Sequence, residues 1–120
     1  MSSVCHLSDR HCEPCEGGVA PMSREQAKSL LAELDGWTLA DDGKMISRRY
    51  EFRGFYRTMS FINAMAWIVN NEGHHPDFSA GYNYCEVGFT THAIDGLSDN
   101  DFICAAKLDA LFDKAVAPGS

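Results

Sequence analysis

Three of the five histidines in this chain of 120 residues have positions that could surround one small molecule. His74 and His75 are adjacent and precede Pro76, and His92 comes 17 positions after His75. Imidazole titrates near neutral pH, so a histidine can donate and accept protons without a large change in its pKa. Imidazole is also a common metal ligand. The residue types therefore suggest acid–base chemistry on a bound molecule, or a metal site.

A simpler interpretation of the same histidines stays open. A loop histidine most often has its ring satisfied by nearby backbone groups and does no chemistry. Against a metal site, neighbouring histidines seldom direct both rings at one ion, and no Asp or Glu stands at an obvious ligand spacing beside them. Residue types alone do not decide between metal binding and acid–base catalysis.

The elements predicted around these histidines bring them together. Apolar residues at helical spacing occupy residues 55–69, and Gly73 follows where a helix ends. The proline after the adjacent pair favours an extended backbone before it. Residues 77–82 and 83–92 predict a hairpin, in which the start of the first strand lies beside the end of the second. The hairpin therefore places His92 next to the adjacent pair at one edge of a sheet.

The remaining patterns complete the fold prediction. Residues 37–52 alternate in polarity about a tight-turn pair, Asp42-Gly43, and predict a second hairpin with Trp37 in its core. Ser98 has the position of an N-cap before a last helix. A first helix is predicted from a capping-box spacing and an apolar face that ends at a glycine: Ser23, Gln26, Ala27, Leu30, Leu31, Leu34 and Gly36.

These elements follow one another in the order α-β-β-α-β-β-α. That order predicts an α+β fold, in which a four-stranded antiparallel sheet carries three helices packed on one face. The helix at residues 55–69 is apolar on more than one side, so it needs a second packing partner besides the sheet. That partner is a helix of another subunit or, as the alternative, a thick core within one chain, and we favour the first. We therefore expect a homodimer or a homotetramer.

Composition excludes several classes of function. The formal net charge is −7, whereas a nucleic-acid-binding surface requires a basic patch, so we expect no direct nucleic-acid partner. No run of about 18 apolar residues suggests a membrane span. The first residues lack the apolar centre of a signal peptide, and the five cysteines are odd in number. We expect a cytoplasmic protein with reduced thiols.

The chain is long enough for one domain. Residues 1–20 are polar and contain Cys and Gly without periodicity, which predicts a flexible extension. The domain is predicted to occupy residues 21–116, and residues 117–120 are predicted to form a frayed tail.

Cysteines and histidines in the extension resemble half of a zinc knuckle. Two cysteines separated by two residues supply only two ligands, and the others would have to come from a very short loop. We therefore favour a reduced, flexible segment over a metal site. The residues concerned are Cys5, His6, His11, Cys12 and Cys15.

At the level of longer motifs, the stretch HHPDFSAGYNYCEVGFTTHAIDGLSDND resembles the signature of the pterin-4a-carbinolamine dehydratase family. The similarity continues upstream through GWTLADDGKMISRRYEF and GFYRTMSFINAMA, so it covers about residues 22–115. The resemblance implies a 4a-hydroxytetrahydrobiopterin dehydratase, a hydro-lyase that converts 4a-hydroxytetrahydropterin into quinonoid dihydropterin and water. It implies recycling of the pterin cofactor of aromatic amino acid hydroxylases, with no metal and no organic cofactor. Relatives that act as transcription cofactors or in assembly make a non-catalytic binding role the alternative.

The resemblance also assigns roles to residues. It implies that His74 and His92 form the acid–base pair and that His75 chiefly binds substrate. Asp101 matches an acidic position of the family, where it would orient His92 or simply begin the last helix. The residues implied to line the pterin pocket are His74, His75, Pro76, Thr91, His92, Ala93 and Ile94.

Two positions depart from the family pattern. Asn70 stands where some relatives carry a glutamate, so this position supplies no carboxylate. Glu72 lies about 200° further round the helix and is a poor substitute there. Phe78 stands where a tryptophan is common, and an apolar wall survives that change.

Overall fold

The computed structural model describes residues 7–13 and 20–115 of the chain. Short 3-10 turns at Leu7–Asp9 and His92–Ile94 accompany the main elements. In chain order these are α1 (Arg24–Leu31), β1 (Thr38–Leu39), β2 (Ile46–Glu51), α2 (Phe55–Glu72), β3 (Asp77–Ala80), β4 (Tyr84–Phe89) and α3 (Asp99–Ala115). The predicted order of helices and strands is confirmed. Within the described residues, no helix is long and apolar enough to cross a membrane.

The four strands form one antiparallel sheet in the order β1-β2-β4-β3. Ile46 and Tyr50 of β2 are fully buried, while Ser47 and Arg49 between them are exposed. Since side chains alternate between the faces of a strand, the buried set defines the face that the three helices cover. The predicted α+β architecture, with helices on one face, is confirmed.

Helix α2 has a narrow buried stripe and ends at a glycine. Thr58, Phe61, Met65 and Val69 are buried at helical spacing against the sheet and α3. Gly73 has a φ of 67°, a left-handed conformation that residues with a side chain rarely adopt. This cap turns the chain out of the helix and towards the strand that follows.

Helix α1 is shorter than its apolar pattern predicts. Its capping box between Ser23 and Gln26 is present, but the helix ends at Leu31 rather than near Gly36. Bonds from Glu33 and Leu34 to carbonyls three residues earlier tighten the chain beyond it. This turn still packs Leu34 against the core. A turn of this kind has nearly the residue spacing of a helix, which is why the apolar pattern continues beyond Leu31.

Part of the predicted N-terminal extension packs onto the domain. The side chain of Leu7 is only 6% exposed and belongs to the main core, and Cys12 packs at its edge. The prediction of a flexible extension is therefore wrong for residues 7–13. This segment is held by its contacts with the domain, and it is too short to show a periodic sequence pattern. The predicted tail and three of the knuckle residues (Cys5, His6 and Cys15) lie outside the described residues.

The buried carboxylate of Asp109 joins α3 to the hairpin at residues 37–52. Oδ1 of Asp109 accepts hydrogen bonds from Trp37 Nε1 at 2.9 Å, Arg48 at 2.6 Å and the Tyr50 hydroxyl at 2.7 Å. Trp37 is 6% exposed, which confirms its predicted place in the hairpin core. Burial, followed by the charge of Asp109, raises the pKa of Tyr50 above its usual 10.0, so this phenol remains a donor.

Candidate active site

The three histidines of the sequence pattern line one cleft of about 600 Å³. The cleft lies where α2 ends, β3 begins and the chain leaves β4. His75 and His92 are exposed, whereas the side chain of His74 is 12% exposed. The cleft thus presents two accessible imidazoles beside one that is largely enclosed.

Backbone geometry at two chain reversals brings these histidines together. After Gly73, the His74 N–H bonds the carbonyl of Val69, so the adjacent pair leaves α2 at a defined angle. In the hairpin, Asp77 pairs with Gly88, which aligns the start of β3 with the end of β4. The turn containing His92 follows β4 and closes through a bridge between residues 91 and 96. The geometry expected of the hairpin is present.

His74 is held by two neighbours. Its Nε2 lies 2.6 Å from Oδ1 of Asp101, and its ring stacks on Phe89 with 5.9 Å between centroids and 13° between planes. A carboxylate only accepts, so the imidazole nitrogen in this contact donates its proton. The ring orientation is therefore set before any ligand binds, and Nδ1 is the nitrogen left for chemistry.

Asp101 is fully buried and serves the helix and the histidine together. Its Oδ2 accepts hydrogen bonds from the Thr91 hydroxyl at 2.7 Å and from the Ser98 backbone N–H at 3.0 Å. The bond to Ser98 is the half of a capping box that begins α3. The expectation that Asp101 orients His92 is wrong, because the carboxylate faces His74 instead.

The other expected pocket residues divide between the cleft and its surroundings. Ala93 lines the cleft and is exposed, and Thr91 lines it while its hydroxyl is engaged with Asp101 and Ser98. Pro76 instead lines an adjoining apolar groove of about 590 Å³, and Ile94 is buried, with 8% exposure, under the turn. Pro76 and Ile94 therefore shape the backbone near the site without lining the cleft.

Residues that the sequence patterns did not place in this cleft also line it, among them Cys12, Glu13, Glu72 and Asn100. The first two come from the N-terminal segment, and Asn100 comes from the first turn of α3. Glu72 is the only acidic residue of α2 and stands at its C-terminal end, where the helix dipole disfavours a carboxylate. That unfavourable position is the sequence feature that could have marked Glu72 as a site residue. Asn70 lines the cleft as well, at the position where relatives carry a glutamate.

The carboxylate of Glu72 is already occupied. It accepts the Cys12 backbone N–H at 2.7 Å and lies 2.8 Å from Nδ1 of His11. Burial favours a raised pKa for Glu72, but these two donors and the charge of Lys107 outweigh it and lower the pKa below 4.5. Glu72 therefore remains ionised and bound to the segment, unavailable as a general acid.

Metal ligation finds no support among the described residues. Within residues 7–13 and 20–115, no group of three or more His, Cys, Asp or Glu side chains could hold an ion. The imidazoles of the cleft are instead arranged beside a carboxylate that holds one of them. This arrangement can move protons on a bound molecule.

Sequence comparison with known proteins complements the geometry of the cleft. A sequence model of the pterin 4 alpha carbinolamine dehydratase family matches residues 20–111. The chain belongs to this family. A pterin-4-alpha-carbinolamine dehydratase homologue from Nitrosomonas eutropha is 56% identical over 112 residues, covering 92% of this chain and 97% of that protein. Members of the family are named for a dehydration, which groups the chain with the hydro-lyases.

Solved structures agree with the fold. A transcriptional coactivator/pterin dehydratase from Brucella melitensis superimposes with a TM-score of 0.73 at 27% identity, covering 76% of this chain and 97% of that one. A pterin dehydratase-like protein identified as a RuBisCO assembly factor superimposes with a TM-score of 0.57 at 23% identity, covering 64% and 89%. The second likeness concerns the fold alone.

Proposed function

We propose that the protein catalyses the dehydration of 4a-hydroxytetrahydropterin to quinonoid dihydropterin by histidine acid–base catalysis. The observation that carries the proposal is the meeting of three imidazoles in one cleft, with His74 held by a buried carboxylate. Family membership supports the class of substrate. The physiological role that follows is recycling of the pterin cofactor of aromatic amino acid hydroxylases, in the cytoplasm.

The reaction needs one proton donor and one proton acceptor. An imidazolium gives its proton to the 4a-hydroxyl oxygen as the carbon–oxygen bond breaks, and water leaves. The lone pair of the neighbouring ring nitrogen forms the new carbon–nitrogen double bond, and a neutral imidazole removes the proton from that nitrogen. No electrons are exchanged with an external partner, so neither a metal nor an organic cofactor is required.

The site geometry suggests which histidine does what. Asp101 offsets positive charge on the ring of His74, which suits this residue to hold and deliver a proton. His92, exposed on its turn, is the partner in the acid–base pair. His75 is exposed at the start of the extended chain and chiefly binds the pterin.

The direct test is a dehydration assay on enzymatically generated 4a-hydroxytetrahydrobiopterin, with wild-type protein and His92→Ala compared with the spontaneous rate. We expect wild-type acceleration that survives a chelator, and a loss of about 10²- to 10⁴-fold in kcat for His92→Ala, the usual contribution of a general acid or base. The fold of the variant should be intact by circular dichroism, because His92 is exposed. A folded wild-type protein that does not accelerate the reaction would favour the non-catalytic binding role.

His75→Ala gives the matched comparison within the same cleft. Since this residue is assigned to binding, its loss should raise KM more than it lowers kcat. A fall in kcat alone would contradict the division of roles.

A homo-oligomer is part of the proposal. Trp67 on the outer side of α2 is 70% exposed, and Phe78 on the edge strand β3 is 50% exposed. The two residues line the same apolar groove beside the cleft. An exposed apolar groove next to an edge strand supports association with a second copy of the chain.

A further inference from the structure

The segment Leu7–Glu13 forms one wall of the histidine cleft, through Cys12 and Glu13. This wall comes from outside residues 20–111, the part that matches the family. We propose that the segment is a substrate-positioning element of the pterin site, held against the cleft by Glu72. The inference rests on the proposed dehydratase function and adds to it a part of the chain that supplies none of the three cleft imidazoles.

Glu72 is the anchor nearest the cleft. Its two carboxylate oxygens are 2.7 Å from the Cys12 backbone nitrogen and 2.8 Å from the His11 ring, and its side chain is only 8% exposed. A carboxylate at the C-terminal end of a helix faces the negative end of the helix dipole, which is unfavourable by itself. The donors from the segment offset that cost, so the helix end and the segment stabilise each other.

Asn100 forms the second anchor. Its side chain bonds both backbone groups of Glu13, accepting from the N–H at 3.0 Å and donating to the carbonyl at 2.6 Å. A side-chain amide paired in this way fixes the backbone as a neighbouring strand would. The position of Glu13 at the cleft is therefore set by the backbone.

The far end of the segment is fastened away from the cleft. Leu7 is buried against α3, and Lys107 donates to the Ser8 carbonyl at 2.9 Å while its charge lies 3.7 Å from Glu72. Neither Leu7 nor Lys107 lines the cleft. Substituting either residue should therefore loosen the segment without changing a side chain that lines the cleft.

The segment should therefore affect binding more than chemistry. A planar bicyclic molecule held between the segment and the histidines is restricted to fewer orientations than one bound on an open surface. The segment also excludes water from one side of that molecule. Loosening the wall weakens that hold but leaves His74, His75 and His92 in place.

Full-length Lys107→Met tests the inference, with Lys114→Met as the matched control. Lys114 is exposed on the same helix, seven residues after Lys107. The probe for binding is 7,8-dihydrobiopterin, titrated by calorimetry, with KM and kcat from the dehydration assay alongside. For Lys107→Met we expect Kd and KM to rise about three- to tenfold, as for one lost hydrogen bond, with kcat nearly unchanged. Lys114→Met should match wild type.

Glu72→Gln is a second variant that weakens the same wall from the cleft side, and circular dichroism checks that both are folded. An active wild type whose Kd and KM are unchanged in both variants would overturn the inference and leave the dehydratase function standing. A wild type that neither binds the probe nor dehydrates 4a-hydroxytetrahydrobiopterin would overturn both. A fall in kcat alone would show that the segment acts on the chemistry and would also contradict the inference.

Discussion

The imidazole of His74 differs from the other two in the cleft by being fixed in advance. Its ring lies between Asp101 and Phe89, whereas His75 and His92 are exposed on extended backbone and on a turn. A catalytic group whose orientation is set by its surroundings loses little freedom on reaction. The enclosed histidine thus gives the site a rigid reference, and the exposed ones can adjust to the substrate.

Asp101→Asn tests whether that contact matters for chemistry. Asparagine can still accept the Ser98 N–H that begins α3, but it carries no charge to offset a protonated imidazole. We expect kcat to fall about 10- to 100-fold, as for loss of a residue that orients a catalytic histidine, with a small change in melting temperature. The measurements are kcat as a function of pH and thermal denaturation.

Asp113→Asn, on the exposed side of the same helix, is the control for that substitution. If both variants keep wild-type kcat across the pH range, the carboxylate of Asp101 serves helix initiation alone.

At the scale of elements, α3 connects the parts of the molecule. Asp101 in its first turn holds His74, Asn100 and Lys107 fasten the N-terminal segment, and Asp109 accepts three donors from the hairpin at residues 37–52. Polar contacts in the interior stabilise a fold only when they are satisfied. Among the described residues, no buried side-chain nitrogen or oxygen is left without a partner.

Glu72 should make the attachment of the segment depend on pH. Its pKa is lowered in the folded protein, so its stabilising contribution is complete above the ordinary value of 4.5 and is lost as the pH falls through the lower folded value. The free energy of unfolding of Glu72→Gln should be about 2 kcal/mol below wild type at neutral pH, as for a charged hydrogen bond. That difference should shrink at strongly acidic pH.

Urea denaturation at several pH values measures the difference, and Glu51→Gln is the control because Glu51 is exposed in a surface ion pair with Arg49. A gap between Glu72→Gln and wild type that stayed constant down to acidic pH would show that the carboxylate charge does not hold the segment.

For the whole molecule, the helix-covered face of the sheet is closed and several large apolar side chains remain outside it. Besides Trp67 and Phe78, these are Phe55, Tyr56 and Tyr82, which are 55%, 83% and 69% exposed. Single exposed aromatic residues are ordinary, but a set on neighbouring elements is typical of an interface.

We expect light scattering after size exclusion to give a mass of at least twice 13.3 kDa for wild-type protein. Trp67→Glu should lower the association state, because a charge buried in an apolar interface is strongly unfavourable. Lys28→Glu, exposed on α1, should leave it unchanged. A wild-type monomer at micromolar concentration would contradict the oligomer.

The sequence by itself determined the elements and their order, the core positions of the strands, and the three histidines as candidates. These features follow from local spacing: a period of two for β2, a period near 3.6 for α2, and Gly73 at the end of α2. The predicted hairpin also placed His92 near His74 and His75, because the pairing of two consecutive strands is set by the local turn between them.

Only the tertiary structure decided which partner each polar group took. Asp101 bonds His74, 27 positions away, and the Cys12 backbone bonds Glu72, 60 positions away. Spacing along the chain contains no information about such contacts, since they depend on how elements pack at the end of a helix or a strand. The segment at residues 7–13 illustrates the same reason, because its order comes from Glu72, Asn100 and α3 rather than from a pattern of its own.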